Sequence, residues 1–458
     1  MSTTPKPNDT TPSPDTAPIP ATKLLAHFVA TATPSSHLTP EIKTKVNEVL
    51  IDYIAVTLGA ITNAPSTKPI YNTILALQGG PIASSAGRLA STVIGHGNPH
   101  MLPQYAALLN SALAHSLDFD DTYAAGTLHA GVTAVSAAMT QWFMLAVSVG
   151  YEVTCRLGRE LGMVAYERAV AAISVLKGLG TGDVECAFGL AGSKAGGSMQ
   201  YLDNGAWNKR LHPGFAVCDA FMCVSLAEHG VLGATRAIEG EMGFLQAYSP
   251  GEKDLGRLVG GLGEEWCWLE TSLKPYPACR MTHCFIEIGG KICDAEKGVA
   301  GELVRSVEMR MPKASFLLVG DPTPNKVHPD NAVDAQFSVY FQMANALIHG
   351  STTGVQAYQK LEDPEIRALC DEMVVVMDPD MTGLAAKVKV EWMNGRVDEY
   401  QQQYPLGEVQ HPFTRDRVDE KFHSLVDPVC GEEKAQRIID VVDDLEGYSV
   451  NGLFLLLR

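Results

Sequence analysis

The apolar residues in the first half of the chain recur at helical spacing. Thr39 supplies a capping hydroxyl and Pro40 a first-turn proline, which together predict the start of a helix. Ile42, Val46 and Val49 then follow three or four positions apart and predict one buried face. Further segments rich in alanine, leucine and small residues predict closely packed helices; they span residues 104–116, 131–150, 184–197 and 215–229.

The pattern changes to alternation in the second half. Apolar and polar residues alternate at 304–311, 387–392 and 397–400 and predict three strands. Asn394-Gly395 predicts a hairpin between the last two strands. Helical segments lie between the strands, at residues 282–295 and 334–349.

These patterns divide the chain into four parts. Residues 1–21 are rich in threonine, proline and serine and predict a disordered tail. Residues 22–265 predict an all-helical domain, because no convincing run of strands precedes residue 265. Residues 266–410 predict a smaller α+β domain, and residues 411–458 predict helices that rejoin the first domain. The expected fold class is therefore mostly α with a smaller α+β domain.

The composition argues against several classes of protein. A formal charge of −17 and a pI near 5.2 argue against binding to nucleic acid or to an anionic membrane surface. No stretch has the roughly 20 apolar residues that predict a membrane span. The ten cysteines have no C-x-x-C spacing, which indicates free thiols in a reducing compartment rather than a metal cluster. We therefore expect a soluble cytoplasmic protein, with mitochondria as the alternative, and neither metal nor other cofactor.

An acidic motif, Asp118-Phe-Asp-Asp-Thr122, carries the first candidate chemistry. Three carboxylates within four residues repel one another, so burial would raise the pKa of at least one and make it a usable acid or base. Asp118 and Thr122 share a helical face if the helix that begins near Gln104 continues through the motif. His129, just downstream, is a candidate proton donor or a capping residue. A Mg²⁺ site and a solvated acidic turn are the alternatives for the motif.

A first basic segment, Asn204–Gly214, contains Lys209, Arg210 and His212. Glycines near both of its ends let a backbone approach a ligand closely, and a compact basic group suits an anion. In isolation the segment is more typical of a solvated loop between two helices than of a ligand site.

A second basic segment lies at the junction of the two predicted domains. It contains Lys274, Arg280 and His283 and two prolines that fix the backbone. Domain junctions are where clefts form, although a proline-rich linker with solvated charges is the alternative. Together with the acidic motif, the two basic segments predict a site for a small polyanion.

These motifs, in this order, resemble the MmgE/PrpD family, which includes 2-methylcitrate dehydratases and cis-aconitate decarboxylases. The resemblance covers nearly all of the chain from about residue 23. It implies a large all-helical domain, a smaller α+β lid domain, a homodimer, and an active site in the cleft between the domains. Its landmarks here are His115–Thr122, Asn204–Gly214, Glu239–Phe244, Lys274–His283, and Tyr404–Gly407 before Lys421-Phe422.

The resemblance also implies which residues act. Lys209 and Lys274 would bind substrate carboxylates and neutralise the enediolate-like charge that forms next to a carboxylate. Asp118, held by Thr122, and His129 would transfer protons. Cys279 stands where one branch of the family has a histidine. The catalytic candidates are Asp118, Thr122, His129, Lys209 and Lys274, and the substrate-binding candidates are Arg210, His212, Cys279, Arg280 and His283.

The chain departs from the family pattern after Arg168. Family members usually carry a Gly-Phe-His segment there whose histidine lines the site, and here residues 169–176 run directly into Lys177-Gly-Leu-Gly180. Two explanations are open: the protein has lost part of the wall of the site, or the translated gene skips coding sequence. A second, shorter gap falls near residues 141–145. The leading function expected from the sequence is dehydration of 2-methylcitrate or another 2-alkylcitrate. The alternatives are decarboxylation of cis-aconitate or an alkyl homologue, epimerisation of a small dicarboxylate, and a catalytically impaired member that lacks part of the site wall.

Overall fold

The computed structural model has two main hydrophobic cores. It describes residues 19–83, 91–97, 100–138, 143–161, 168–249, 251, 253–298, 301–445 and 450–458. The predicted disordered tail lies outside the described residues up to residue 18. Ala21 is buried and begins the first helix, one position before the predicted start of the helical domain.

The larger core is built from helices at both ends of the chain. These are α1 (Ala21–Thr31), α2 (Pro34–His37), α3 (Pro40–Asn63), α4 (Thr67–Gln78), α5 (Pro103–Ala114), α6 (Gly131–Ala138), α7 (Phe143–Leu161), α8 (Arg168–Lys177), α9 (Thr181–Ala191), α10 (Asn208–Glu228), α11 (Phe244–Tyr248) and α12 (Leu255–Val259), with the C-terminal helices α19 (Arg415–Cys430), α20 (Glu432–Asp443) and α21 (Val450–Leu456). Helix α10 packs against α5, α8 and α9, and α19 packs along α3. Two short strands, β1 (Ser91–Thr92) and β2 (His100–Met101), pair beside α5. Among the described residues no single helix could cross a membrane, and α3 with α4 meets the length and composition test only as a pair bent by 98°.

The smaller core lies against a four-stranded sheet. The strands are β3 (Val304–Met311), β4 (Met373–Met377), β5 (Ala386–Trp392) and β6 (Val397–Gln402), and the helices are α13 (His283–Glu296), α14 (Lys313–Ser315), α15 (Pro324–Val327), α16 (Ala332–Gln336), α17 (Val339–His349) and α18 (Pro364–Asp371). The strand order is β4-β3-β5-β6, with β4 parallel to β3 and the other neighbours antiparallel. Helix α13 packs on β5, β6 and α17, and Val307, Met309 and Met311 are fully buried.

The local signals for helices and strands are confirmed. Thr39 Oγ1 accepts a hydrogen bond from the backbone N–H of Ile42 at 3.3 Å, and Pro40 occupies the first turn of α3. The predicted strands correspond to β3, β5 and β6, and Gly395 turns the hairpin with a φ of 87°. The chain therefore has the expected fold class, mostly helical with a smaller α+β domain.

The helix before the acidic motif does not continue through it, so the condition for a shared face of Asp118 and Thr122 is not met. Helix α5 ends at Ala114, because the chain turns sharply and reaches Asp118 in a left-handed conformation. Asp118 and Thr122 therefore do not share a helical face.

The predicted loop at Asn204–Gly214 is also corrected. Helix α10 begins at Asn208 and contains Pro213, so the basic side chains project from its first turns. Gly214 allows α10 to approach α5, since a Cβ there would lie 2.7 Å from the Leu108 carbonyl oxygen. The small residue thus serves helix packing rather than the close approach of a ligand.

Candidate active site

A cavity of about 580 Å³ lies between the two cores. Its lining combines charged side chains from the acidic motif, from α10 and from the segment that joins the domains. The titratable side chains of this lining include those of His115, Asp118, His129, Lys209, His212 and Lys274.

Asp118 is the centre of the charged lining. Its φ of 50° is a left-handed conformation that Asp tolerates better than most residues. The turn buries its carboxylate between two lysines, with Lys209 bonded to Oδ1 and Lys274 Nζ 3.2 Å from Oδ2. Burial alone would raise the pKa of Asp118, but the two ammonium groups outweigh it and hold the pKa well below its usual range. The ionised form of Asp118 is therefore the favoured one, and its negative charge faces both lysines.

Lys209 and Lys274 differ in burial and in the atoms that their ammonium groups contact. Lys274 is 1 % exposed and contacts the Asp118 carboxylate, the Asp118 backbone oxygen at 2.7 Å and the Ala278 oxygen at 3.0 Å. The two backbone contacts are hydrogen bonds and the carboxylate contact is an ion pair, so the buried Lys274 ammonium is turned towards protein oxygens. Lys209 contacts Asp118 and, at 2.9 Å, Nε2 of His115, and it is the more exposed of the two lysines. Two hydrogen bonds leave one of the three N–H donors of the Lys209 ammonium for a ligand.

Asp120 orients two histidines. Its Oδ2 lies 2.9 Å from Nδ1 of His115 and 2.9 Å from Nδ1 of His129, and the two rings meet edge to face. A carboxylate accepts Nδ1–H, so each ring carries its lone pair on Nε2. The Nε2 of His115 accepts from Lys209, and that of His129 lies 3.9 Å from Asp118 Oδ1.

Burial favours the neutral form of both histidines. Burial lowers the pKa of His129 to about 3, with Lys209 and His115 adding to the shift and Asp120 opposing it. Burial also lowers the pKa of His115 against the same opposing carboxylate. The Asp118 charge raises the pKa of Lys209 although burial opposes it. The cavity therefore contains a cationic Lys209 beside an unprotonated His129.

Asp121 belongs to the acidic motif but does not line the cavity. Its carboxyl accepts from the Gly131 N–H at 3.1 Å and interacts with the Tyr151 hydroxyl. Burial, followed by the charges of Asp120 and Asp52, raises the pKa of Asp121 to about 8. The crowded motif predicts one raised pKa, and Asp121 is the residue that has it. Asp121 supports the site through its contact with Gly131 and does not face the cavity.

A buried ion pair fastens the C-terminal helix to the motif. Lys421 of α19 donates to Asp52 Oδ1 of α3 at 2.5 Å and to the Phe119 carbonyl at 2.7 Å. Both side chains are almost fully buried. The acidic motif is therefore held by residues far apart in sequence.

All predicted site residues except Arg210 and His283 line the cavity. Arg210 turns away and donates to Ser66 Oγ at 2.8 Å, and His283 is buried with Nε2 3.0 Å from the Ala278 oxygen. The structure gives these two residues internal contacts in place of the predicted contact with substrate.

Thr122 lines the cavity but does not hold Asp118. Its backbone pairs with Ser272, with an N–H to oxygen distance of 2.8 Å. Its buried Oγ1 has no hydrogen-bond partner within the described residues. The two lysines take the holding role that the sequence assigned to Thr122.

The remaining predicted residues form the rim of the charged lining. Burial, with His115 and Lys209, lowers the pKa of His212 to about 4. Burial and Asp118 raise the pKa of Cys279 to about 11, so it is a thiol. Arg280 is paired with Glu408, Nε to Oε1 2.6 Å, and donates to the Leu273 oxygen at 3.1 Å. The predicted gaps after Arg168 and near residues 141–145 border or overlap residues 139–142 and 162–167, which lie outside the described residues.

Sequence reasoning missed His115 and Asp120 as site residues. The available signal was the presence of two histidines close to three carboxylates. Which carboxylate meets which ring depends on the left-handed turn at Asp118, and spacing does not reveal that turn.

One group of described side chains has the geometry of a metal site. Ligand atoms of His115, Asp118, Asp120 and His129 lie within 4.8 Å of one another. However, two ammonium groups already neutralise Asp118, and a divalent cation would lie beside them. The donor set therefore fits a hydrogen-bonded acid–base relay better than it fits a cation.

Family models match both parts of the chain. The MmgE/PrpD N-terminal domain matches residues 23–255 and the MmgE/PrpD C-terminal domain matches residues 276–447. The chain therefore belongs to the MmgE/PrpD family.

Three curated relatives cover most of the chain. It is similar to cis-aconitate decarboxylase of Homo sapiens, with 24% identity over 451 residues that span 90% of this chain and 89% of that protein. The same enzyme of Mus musculus is 24% identical over 399 residues, 78% of each chain. The cis-aconitate decarboxylase-like protein oryM of Aspergillus oryzae is 26% identical over 399 residues, 78% of this chain and 82% of that protein.

Proposed function

We propose that this chain is a lyase that removes CO₂ from cis-aconitate or an alkyl homologue of it. The main supporting observation is the cationic Lys209, which faces the same cavity as the neutral His129. The relatives favour this reaction over the dehydration expected first from the sequence, since those reported above are named for decarboxylation of cis-aconitate.

The decarboxylation step needs a cation in a dry site. Breaking the C–C bond to the departing carboxylate leaves an electron pair that forms a new C=C bond to the neighbouring carbon. The electrons of the original C=C bond shift to its far carbon, so negative charge grows next to a remaining carboxylate. A preorganised ammonium stabilises that charge without reorganisation. Asp118 and His115 hold Lys209 for this role.

A proton must then be added to the far carbon of the allylic system, and His129 is its proposed source. Substrate carboxylates raise the pKa of a buried histidine, so His129 takes up a proton when the anion binds. Asp120 stabilises the resulting imidazolium through Nδ1–H. Transfer of the Nε2 proton to carbon leaves neutral His129, CO₂ and a dicarboxylate with a terminal methylene group.

Dehydration of a 2-alkylcitrate is the second candidate. It requires a base for the C–H proton and an acid for the departing hydroxyl. The neutral His129 and the protonated Lys209 supply one of each.

Incubation of the purified protein with cis-aconitate and with 2-methylcitrate, followed by proton NMR, tests both reactions. Methylene vinyl signals from cis-aconitate indicate decarboxylation, and a new unsaturated tricarboxylate from 2-methylcitrate indicates dehydration. Lys209→Ala should lose nearly all activity, whereas Lys194→Ala, a half-exposed lysine paired with Asp219, should retain it. Turnover of neither acid would favour the catalytically impaired alternative, and full activity of Lys209→Ala would overturn the mechanism.

We further propose that the protein is a homodimer, as the family resemblance implies. Phe215, Met222 and Leu226 lie on one face of α10 and are 49%, 57% and 39% exposed, which is unusual for a helix in a monomer. Light scattering should give twice the mass of one chain, and Met222→Glu should lower it. The same substitution at Leu77, which is 67% exposed on α4, serves as the control.

A further inference from the structure

The lining of the cavity combines two kinds of side chain. Asp118, Lys209, Lys274, His115 and His129 form a contiguous charged and hydrogen-bonded group, and we call these five residues the charged end. The lining residues that follow Arg280 in the described part of the chain carry no charged or hydrogen-bonding side chain. We call six of them the apolar roof: Met281, Pro312, Ala314, Leu318, Phe337 and Leu384.

The roof comes from separate segments of the second domain. Met281 precedes α13, Leu318 lies in the helical turn after α14, and Leu384 precedes β5. Phe337 marks the border with the charged end, since its ring centre is 5.7 Å from Lys209 Nζ. The roof is therefore a continuation of the site rather than part of another pocket.

A small tricarboxylate alone does not match the apolar part of the lining. A carboxylate placed against apolar side chains loses its water without gaining a partner. The volume of about 580 Å³ is within the range of roughly 300–1,000 Å³ that holds drug-sized ligands. There is therefore room beyond the charged end, and that room suits hydrocarbon.

Building on the proposed function, we propose that the substrate is a tricarboxylate with a linear alkyl chain longer than methyl. Its carboxylates bind at Lys209 and its chain lies along the apolar roof, where Leu318 and Leu384 determine specificity. Each methylene that leaves water should strengthen binding about fourfold until the roof is covered.

Equilibrium binding tests this proposal without relying on turnover. Titration calorimetry with propane-1,2,3-tricarboxylate and its methyl, butyl and hexyl derivatives uses saturated acids that cannot react. Affinity should rise by about fourfold per methylene, with an increasingly negative heat-capacity change. Equal affinity across the series would overturn the proposal, even for a protein that turns over cis-aconitate.

A matched pair of variants assigns the effect to the roof. Leu318→Asn should lower the ratio of hexyl to unsubstituted affinity by at least tenfold, on the order expected from loss of apolar contact. Leu317→Asn, at the 60% exposed neighbour outside the cavity lining, should leave the ratio unchanged. An unchanged ratio in Leu318→Asn would also overturn the proposal, whereas chain-length-dependent binding without turnover of any acid would reject the proposed reaction alone.

Discussion

The charged end and the apolar roof line the same cavity, but they are stabilised in different ways. In the charged end every group is held by another charged group, as Asp118 is held by Lys209 and Lys274. In the roof, side chains such as Leu318 and Leu384 contribute apolar surface and no hydrogen bonds. Removing one charge leaves buried partners without compensation, while trimming the roof removes only the contacts of that side chain.

The difference follows from where the two parts arise. The charged end combines the acidic motif, α10 and the interdomain segment, and its geometry depends on the left-handed turn at Asp118. The roof arises from loops and short helices of the second domain. The charged end can support chemistry that needs side chains in fixed positions. The residues of the apolar roof can differ between proteins with different substrates without disturbing the charged end.

The largest expected effect is that of Asp118→Asn. Neutralising this carboxylate leaves Lys209 and Lys274 facing each other in a buried site, so we expect a loss of about 3–5 kcal/mol of unfolding free energy. Urea unfolding measures it. The double variant Asp118→Asn/Lys274→Met should regain part of that stability but no activity. If Asp118→Asn alone is as stable as the wild type, the charged end is not a mutually dependent unit.

Asp120→Asn should reduce kcat by about 10²-fold with a small change in KM. The amide is uncharged, so it accepts the two Nδ1–H groups more weakly and no longer neutralises the imidazolium of His129. The pH profile of kcat should shift together with the rate, which a purely structural defect would not cause. A proportional loss at every pH would contradict the orienting role.

The sequence predicts the architecture better than it predicts the site. The cap at Thr39 and the hairpin at Asn394-Gly395 depend on residues that are close in sequence. A local sequence pattern is therefore enough to predict them. The start of α10 was missed because Pro213 and Gly214 usually end helices, whereas here packing against α5 overrides that preference.

The partners within the site depend on tertiary contacts that a motif does not record. Thr122 was expected to hold Asp118, but its backbone pairs with Ser272 instead. Arg210 has the charge of a substrate ligand and turns to Ser66. In the sequence, roof residues such as Leu318 cannot be told from core residues, since both are apolar. Only the packing of the two domains determines which apolar side chains face the cavity.

Asp121→Asn should change how stability depends on pH. The pKa of Asp121 is about 8 in the folded protein and near 4 when unfolded, so the folded state binds more protons between these values. Stability should therefore fall as pH rises from 4 to 8, by up to about 1.4 kcal/mol per pH unit from this group. Asn cannot titrate, and unfolding measured at several pH values should give a flatter slope in this range. An unchanged slope would contradict the buried neutral carboxyl.

The smallest expected effect is that of Leu384→Ala. Leu384 is partly exposed in the loop before β5, so its truncation removes some apolar contact but orphans no polar group. We expect a loss below about 1 kcal/mol in urea unfolding, since substitutions away from buried polar networks have small effects. Ala leaves the charged end intact, so the pH profile of kcat should match the wild type. A loss as large as that of Asp118→Asn would mean that roof and charged end are coupled, and that the second domain fixes the catalytic geometry as well as the shape of the cavity.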